Sequence, residues 1–259
     1  MMLTEVKGLV LRTVDISESD RLVVMYTEEM GITTALARGA RSLKSRKMSA
    51  AMQFCYGSYV LYGKGDKLWI KEASLIESFF DIRDSIEGLA LATYIAEVVG
   101  DVGTAEPDLD ILRLALNSLY AISRGKYPLA KIKAAFEIRL ASVLGFMPDV
   151  VACVKCGGGE GDFFLDVMAG AVECAACHRQ AQKAHTALTE LHESSIVKII
   201  SEGAKSALAY SIYAPIEKLF SFSISEEDTR MFASAAECYL LNHLERGYKS
   251  LDFYNEVKR

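Results

Sequence analysis

The sequence predicts an α+β multidomain chain: an N-terminal five-stranded β-barrel, then a C-terminal, mainly α-helical bundle with an inserted four-cysteine ribbon. Three observations predict it. Residues 1–80 alternate apolar and polar positions as strands do, residues beyond Asp81 repeat at helical spacing, and two C-x2-C pairs stand between helical stretches.

With 51% hydrophobic and 24% charged residues and only four prolines among 259, the chain has the balance of an ordered globular protein, large enough to bury cores without disulfides. Its start, MMLTEVKGLVLRT, lacks the basic-then-apolar pattern of a secretory signal. The most apolar stretch, Leu89 to Val99, contains Glu97 and is about half the length of a membrane span. A cytoplasmic location is therefore expected.

Strand signals appear in VKGLVLRTVDI, RLVVMYT, GITTALA, FCYGSYVLY and KLWIKEASLIESF, separated by acidic, glycine-bearing or basic turns. Five short strands of this length suggest a small closed barrel. An OB-fold is the commonest solution, and an SH3-like barrel would leave a similar trace.

In the helical part, Leu112, Ala115, Leu116, Leu119 and Ile122 share one face of a helix over 109–124. Pro128 opens the next, striped by Leu129, Ile132, Phe136, Leu140 and Val143 and stopped by Gly145 and Pro148. Leu188, Leu191, Ile196 and Ile199 stand in helical register. A final long helix begins at the cap Ser225 and ends before Gly247. The domains expected are a barrel over 1–80, a first helical part over 81–150, a ribbon over 151–185 and a second helical part over 186–259.

Cys153, Cys156, Cys174 and Cys177 form the strongest motif. Two residues between cysteines turn both sulfurs of a knuckle toward one point, and FFLDV and AVE, joined near Gly170, supply a hairpin that brings two knuckles together. One structural zinc ion is the expected occupant. Four thiolates leave no open position to activate water, so the site is expected to serve stability. Two disulfides are the alternative reading, and His178 is an alternative ligand to Cys177. Cys55 and Cys238 read as inert thiols.

The net charge of −5 argues against a polyanionic partner, but it conceals an asymmetry. Between Gly31 and Ser74 there are eight Lys or Arg against two acids, and Arg38, Arg41, Lys44, Arg46 and Lys47 crowd into ten residues without an acid. Such a loop offers charge-assisted contacts to phosphates, or is simply a solvated charge run. In the strand that follows, alternation sets Leu68 and Ile70 on one face and Lys67, Trp69 and Lys71 on the other. Trp69, the only tryptophan, then either stacks on an unpaired base between two cations or packs beneath the helices.

No phosphate-binding glycine loop, nucleophile elbow or metalloprotease helix occurs in the sequence, so an enzyme is not expected. A protein-interaction adaptor, with acidic partners for the 38–47 loop, is the rival to DNA binding.

The stretches GLVLRTVDISESDRLVVMYTEEMG, ARGARSLKSR, FEIRLASVLGFMPDVVACVKCG and LERGYKSLDF together resemble the RecO family of bacterial DNA-repair proteins over nearly the whole chain. The resemblance implies an OB-fold, a helical bundle carrying a zinc ribbon, and a recombination mediator without enzymatic turnover. It implies binding and annealing of single- and double-stranded DNA. With RecR, such a protein helps RecA replace the single-strand-binding protein, whose acidic C-terminal tail docks on the helical part. The family's basic surface maps onto Arg38, Arg41, Lys44 and Arg46.

Overall fold

The computed structural model describes residues 2–64, 67–185 and 196–258. Five strands come first: β1 (Met2–Asp15), β2 (Arg21–Thr27), β3 (Gly31–Ala37), β4 (Cys55–Lys64) and β5 (Lys67–Ser78). Then follow α1 (Ile86–Val102), α2 (Leu109–Arg124) and α3 (Leu129–Val143). The hairpin β6 (Phe163–Asp166) and β7 (Ala171–Cys174) leads into α4 (Ala175–His185) and β8 (Val197–Ile200). The helices α5 (Glu202–Tyr213), α6 (Glu226–Leu244) and α7 (Lys249–Val257) complete the chain. Among the described residues no helix is long and apolar enough to cross a membrane.

The chain divides into two compact units. The first comprises Met1–Gly125 with Tyr248–Arg259, and the second Lys126–Gly247.

In the first unit the five expected strands close in the order β1-β2-β3-β5-β4, the strand order of an OB-fold. Closure depends on the length of β1, whose first half pairs with β4 and whose second half pairs with β2. A register shift between Val10 and Arg12 lets one strand bend between two partners. Val6, Val10, Val23, Met25, Tyr59, Leu61 and Ile70 fill the barrel, and Leu68 packs against them.

The residues between β3 and β4 contribute Ala40, Ala50 and Ala51 to this core. The Tyr59 hydroxyl donates to the Ala50 carbonyl at 2.7 Å. The basic loop is therefore fastened by its own alanines, whose small side chains bring the backbone close to the core. Helices α1 and α2 start on the side-chain caps Ser85 and Asp108, and α2 stops at left-handed Gly125.

In the second unit α3 packs on α6 and α5. Arg139 closes the end of α5, donating to the carbonyls of Ser211 and Ala214. Lys133, on the buried side of α3, lies 2.8 Å from Glu137 and 2.7 Å from Glu237 on α6.

Two helical expectations change. Ile199 lies in β8, an antiparallel strand against β6 with Phe164 opposite Ile199, while Leu188 and Leu191 fall outside the described residues. The run Val197–Ile200 is rich in β-branched residues, and an open edge of the hairpin decides its form. Ser225 does cap α6, accepting from Asp228 N–H at 3.0 Å, but α6 ends at Glu245 in the left-handed region, and α7 follows beyond Gly247.

Candidate nucleic-acid interface and metal centre

The metal centre is assembled by the β6–β7 hairpin. Cys174 ends β7, Cys177 lies in the first turn of α4, and Cys153 and Cys156 occupy the turn before the hairpin, where Gly157 N–H donates to the Cys153 carbonyl at 2.8 Å. The four ligand atoms lie within 4.8 Å of one another. Sulfurs about 2.3 Å from a central ion occupy a tetrahedron with edges of about 3.8 Å. The Cys156 and Cys174 sulfurs are 3.8 Å apart, so the residues fit a tetrahedral metal ion.

All six cysteines are free thiols, and this convergence on one point does not suit two separate disulfides. Gly159 is required by close approach: its φ is +109°, and a Cβ there would meet the Cys174 Cβ at 2.3 Å. Burial acts to raise the Cys153 thiol, but the N–H groups of Cys174, Cys156 and Lys155 outweigh it and hold the thiol at about 6. Cys177 is pushed up to about 12, chiefly by hydrogen bonding with Cys156 and Cys174. A cation at the centre replaces the protons that such crowded sulfurs otherwise share. His178 turns aside, stacking on Phe164 at 3.9 Å with Nδ1 toward Glu173 at 3.7 Å.

On the barrel, the structure brings the basic loop and the aromatic strand together. Arg38, directly after β3, holds its guanidinium 5.8 Å from the Trp69 ring centroid. Trp69 faces outward, half-buried, and stacks on Tyr62 of β4 with centroids 5.6 Å apart and planes 22° from parallel. Ile70 is buried and Leu68 touches the core, as alternation requires.

The other cations are not equivalent. Arg41, although exposed, lies along the β1–β2 turn, 3.3 Å from Asp15 and donating to the Ser17 carbonyl. Lys47 is half-buried and donates to the Ile70 carbonyl at 3.3 Å. Lys71 pairs with neighbouring Glu72 at 3.6 Å. Lys44, Arg46 and Lys67 stand exposed, with no acidic partner among the described residues.

Two acids hold the loop from below. Hydrogen bonding from Arg21 keeps the Asp15 carboxyl below its usual range, with Arg41 adding to the effect. Gly39 N–H and Ser19 lower Asp20 in the same way. Sequence reasoning missed these anchors and missed Tyr62. The alternation of FCYGSYVLY does set Tyr62 opposite in phase to Leu61, but only register places it beside Trp69.

The chain matches the family description "Recombination protein O N terminal" over residues 1–79 and "Recombination protein O C terminal" over residues 83–252. It is 33% identical over 255 residues to the DNA repair protein RecO of Acetivibrio thermocellus, covering 97% of this chain and 96% of that one. It is 28% identical over 260 residues to the DNA repair protein RecO of Caldicellulosiruptor saccharolyticus, covering both in full. The namesake protein of Bacillus pumilus is 32% identical over 178 residues, 68% of this chain and 69% of that one. Barrel, cysteine cluster and these matches lead to one conclusion: the chain belongs to the RecO family of DNA repair proteins.

Proposed function

We propose that this chain is a recombination mediator that binds single- and double-stranded DNA on its barrel and anneals complementary strands without ATP. With RecR it helps load RecA onto DNA coated by single-strand-binding protein. The observation that carries the reading is Arg38 lying over Trp69, because it puts a phosphate-binding cation and a base-stacking ring on one surface.

Two DNA strands repel along their length. Arg38, Lys44, Arg46 and Lys67 neutralise phosphates and release counterions, so that complementary bases meet with no nucleotide hydrolysed. Arg41, Lys47 and Lys71 belong to the same surface, and their charges are already partly engaged. The protein then works by binding rather than by covalent turnover, in the cytoplasm with the nucleoid.

The metal is one zinc ion, held by Cys153, Cys156, Cys174 and Cys177. A closed four-thiolate shell supplies rigidity and no open position. For the acidic tail of single-strand-binding protein, the second unit offers a cleft of about 480 Å³ lined by Lys126, Tyr127, Lys131, Phe222 and Thr229. Two further cations of this unit, Lys198 and Lys205, donate to the Ser234 hydroxyl and to the Val151 carbonyl.

The test is annealing of two complementary oligonucleotides, with and without the zinc-loaded protein, in the absence of ATP. Acceleration at low salt is the expected result. A folded, metal-loaded sample that leaves the rate unchanged sinks the annealing reading.

A further inference from the structure

The strand register connects six outward side chains into one row around the barrel. Val14 on β1 stands opposite Leu22 on β2, Leu22 opposite Leu36 on β3, and Leu36 beside Trp69 on β5. Trp69 stands opposite Tyr62 on β4, and Tyr62 opposite Leu3, back on β1 nearer its start. Directly opposed residues share a face. None of the six belongs to the barrel core, which is built from their neighbours Val23, Ala35, Ala37, Ile70 and Leu61.

An outward row on such a barrel is expected to be polar. Here every member is apolar, and its ends are open, with Val14 40% and Leu3 54% exposed. The centre is the stacked Tyr62–Trp69 pair, with Arg38 over it and the exposed cation Lys67 two positions away on β5. Two flat rings stacked on one another, flanked by positive charge, complement a chain of flat bases joined by phosphates. They do not complement a duplex, whose base faces are covered by their own neighbours.

We infer that the Tyr62–Trp69 pair, extended by Leu36 and Leu3, is the track for unpaired bases and the element that separates single-stranded from duplex DNA. The cations of the 38–47 loop hold the phosphates of either. The inference rests on the DNA-binding reading and adds Tyr62 to it as a determinant of specificity.

Trp69 is the only tryptophan, so its emission reports on the track alone. The experiment follows that emission and, in parallel, fluorescence anisotropy of labelled DNA. Three probes are compared: oligo-dT, an abasic oligomer of equal length, and a blunt duplex. Oligo-dT is expected to bind and quench, whereas the abasic oligomer and the duplex bind without quenching.

Tyr62→Ala is expected to weaken oligo-dT binding about tenfold while duplex affinity stays within about twofold, and Tyr62→Phe to bind like the parent protein. Equal quenching by oligo-dT and the abasic oligomer overturns the inference, and so does Tyr62→Ala weakening both DNA forms alike. Both results leave DNA binding itself standing. If anisotropy detects no DNA binding at all, the proposed function falls with the inference. The abasic comparison uses unaltered protein, so a Tyr62→Ala chain that fails to fold does not spoil the test.

Discussion

The Asp20 carboxylate accepts the backbone N–H of Gly39 at 2.9 Å, tying the first turn of the basic loop to the β1–β2 turn. Gly39 adopts a φ of +67°, so its amide is presented in a direction other residues rarely offer. The loop that carries the positive charge is thus positioned by a negative one.

Asp20→Asn is expected to loosen residues 38–47 and leave the barrel folded. Hydrogen exchange at the amides of Gly39 to Lys47 should quicken, with the rest of β1–β5 unchanged. The Asp20 pKa is lowered by folding, so its contribution is present above the ordinary value of 3.8 and fades as pH falls through the lower folded value. Protection that stays constant between pH 5 and the acid limit of folding contradicts this anchor.

Salt dependence separates free from engaged cations. Five free loop cations on single-stranded DNA would give a slope of log K against log salt of about −3.5. With Arg41 and Lys47 occupied, Arg38, Lys44, Arg46 and Lys67 should give about −2.8. The triple variant Arg38→Glu, Lys44→Glu, Arg46→Glu should flatten the slope to −1 or less in magnitude, keep its metal and lose annealing. A slope unchanged by the triple variant moves the site elsewhere.

Metal analysis should return about one zinc per chain. Gly159→Ala is expected to lower metal affinity sharply, because the new Cβ would collide with Cys174. Chelation should loosen the ribbon and leave oligonucleotide affinity nearly intact. Loss of DNA affinity with both units still folded would show that the metal has a direct part in binding.

The Lys133 ammonium, buried between Glu137 and Glu237, has its pKa raised: desolvation works against the charge, and the two carboxylates outweigh it. Lys133→Ala removes the ammonium that lies between the buried Glu137 and Glu237 and should cost about 3–5 kcal/mol in urea unfolding. Lys133→Met combined with Glu137→Met should recover much of that loss. A single variant within about 0.5 kcal/mol of the parent would show that water reaches the pair.

What the sequence revealed follows the range of each signal. The five strands and the two knuckles were legible because alternation and C-x2-C spacing are local. The outward side of Trp69 was legible for the same reason. Its neighbours were not: Tyr62, though near in sequence, reaches it only through the register of the β4–β5 hairpin, and Arg38 through the long-range pairing of β3 with β5. Arg41 read as a cation open to phosphate because nothing near it in sequence announces its pairing with Asp15. Ile196 and Ile199 matched a helical step of three, and pairing with β6 overrode that spacing.

Helix α7 returns to α1: Tyr248 donates to Asp101 at 2.9 Å and meets Tyr94 edge to face, and Leu251 and Tyr254 are buried. On the ribosome, the unit begun first is therefore finished last. Until residues 248–257 leave the exit tunnel, α1 shows water the apolar side that α7 will cover, while residues 126–247 can already be assembling. A stop codon at position 248 would thus injure the barrel's own unit rather than the helices made just before it, and the nascent chain would need shielding at α1 from the moment that helix emerges until residues 248–257 follow it.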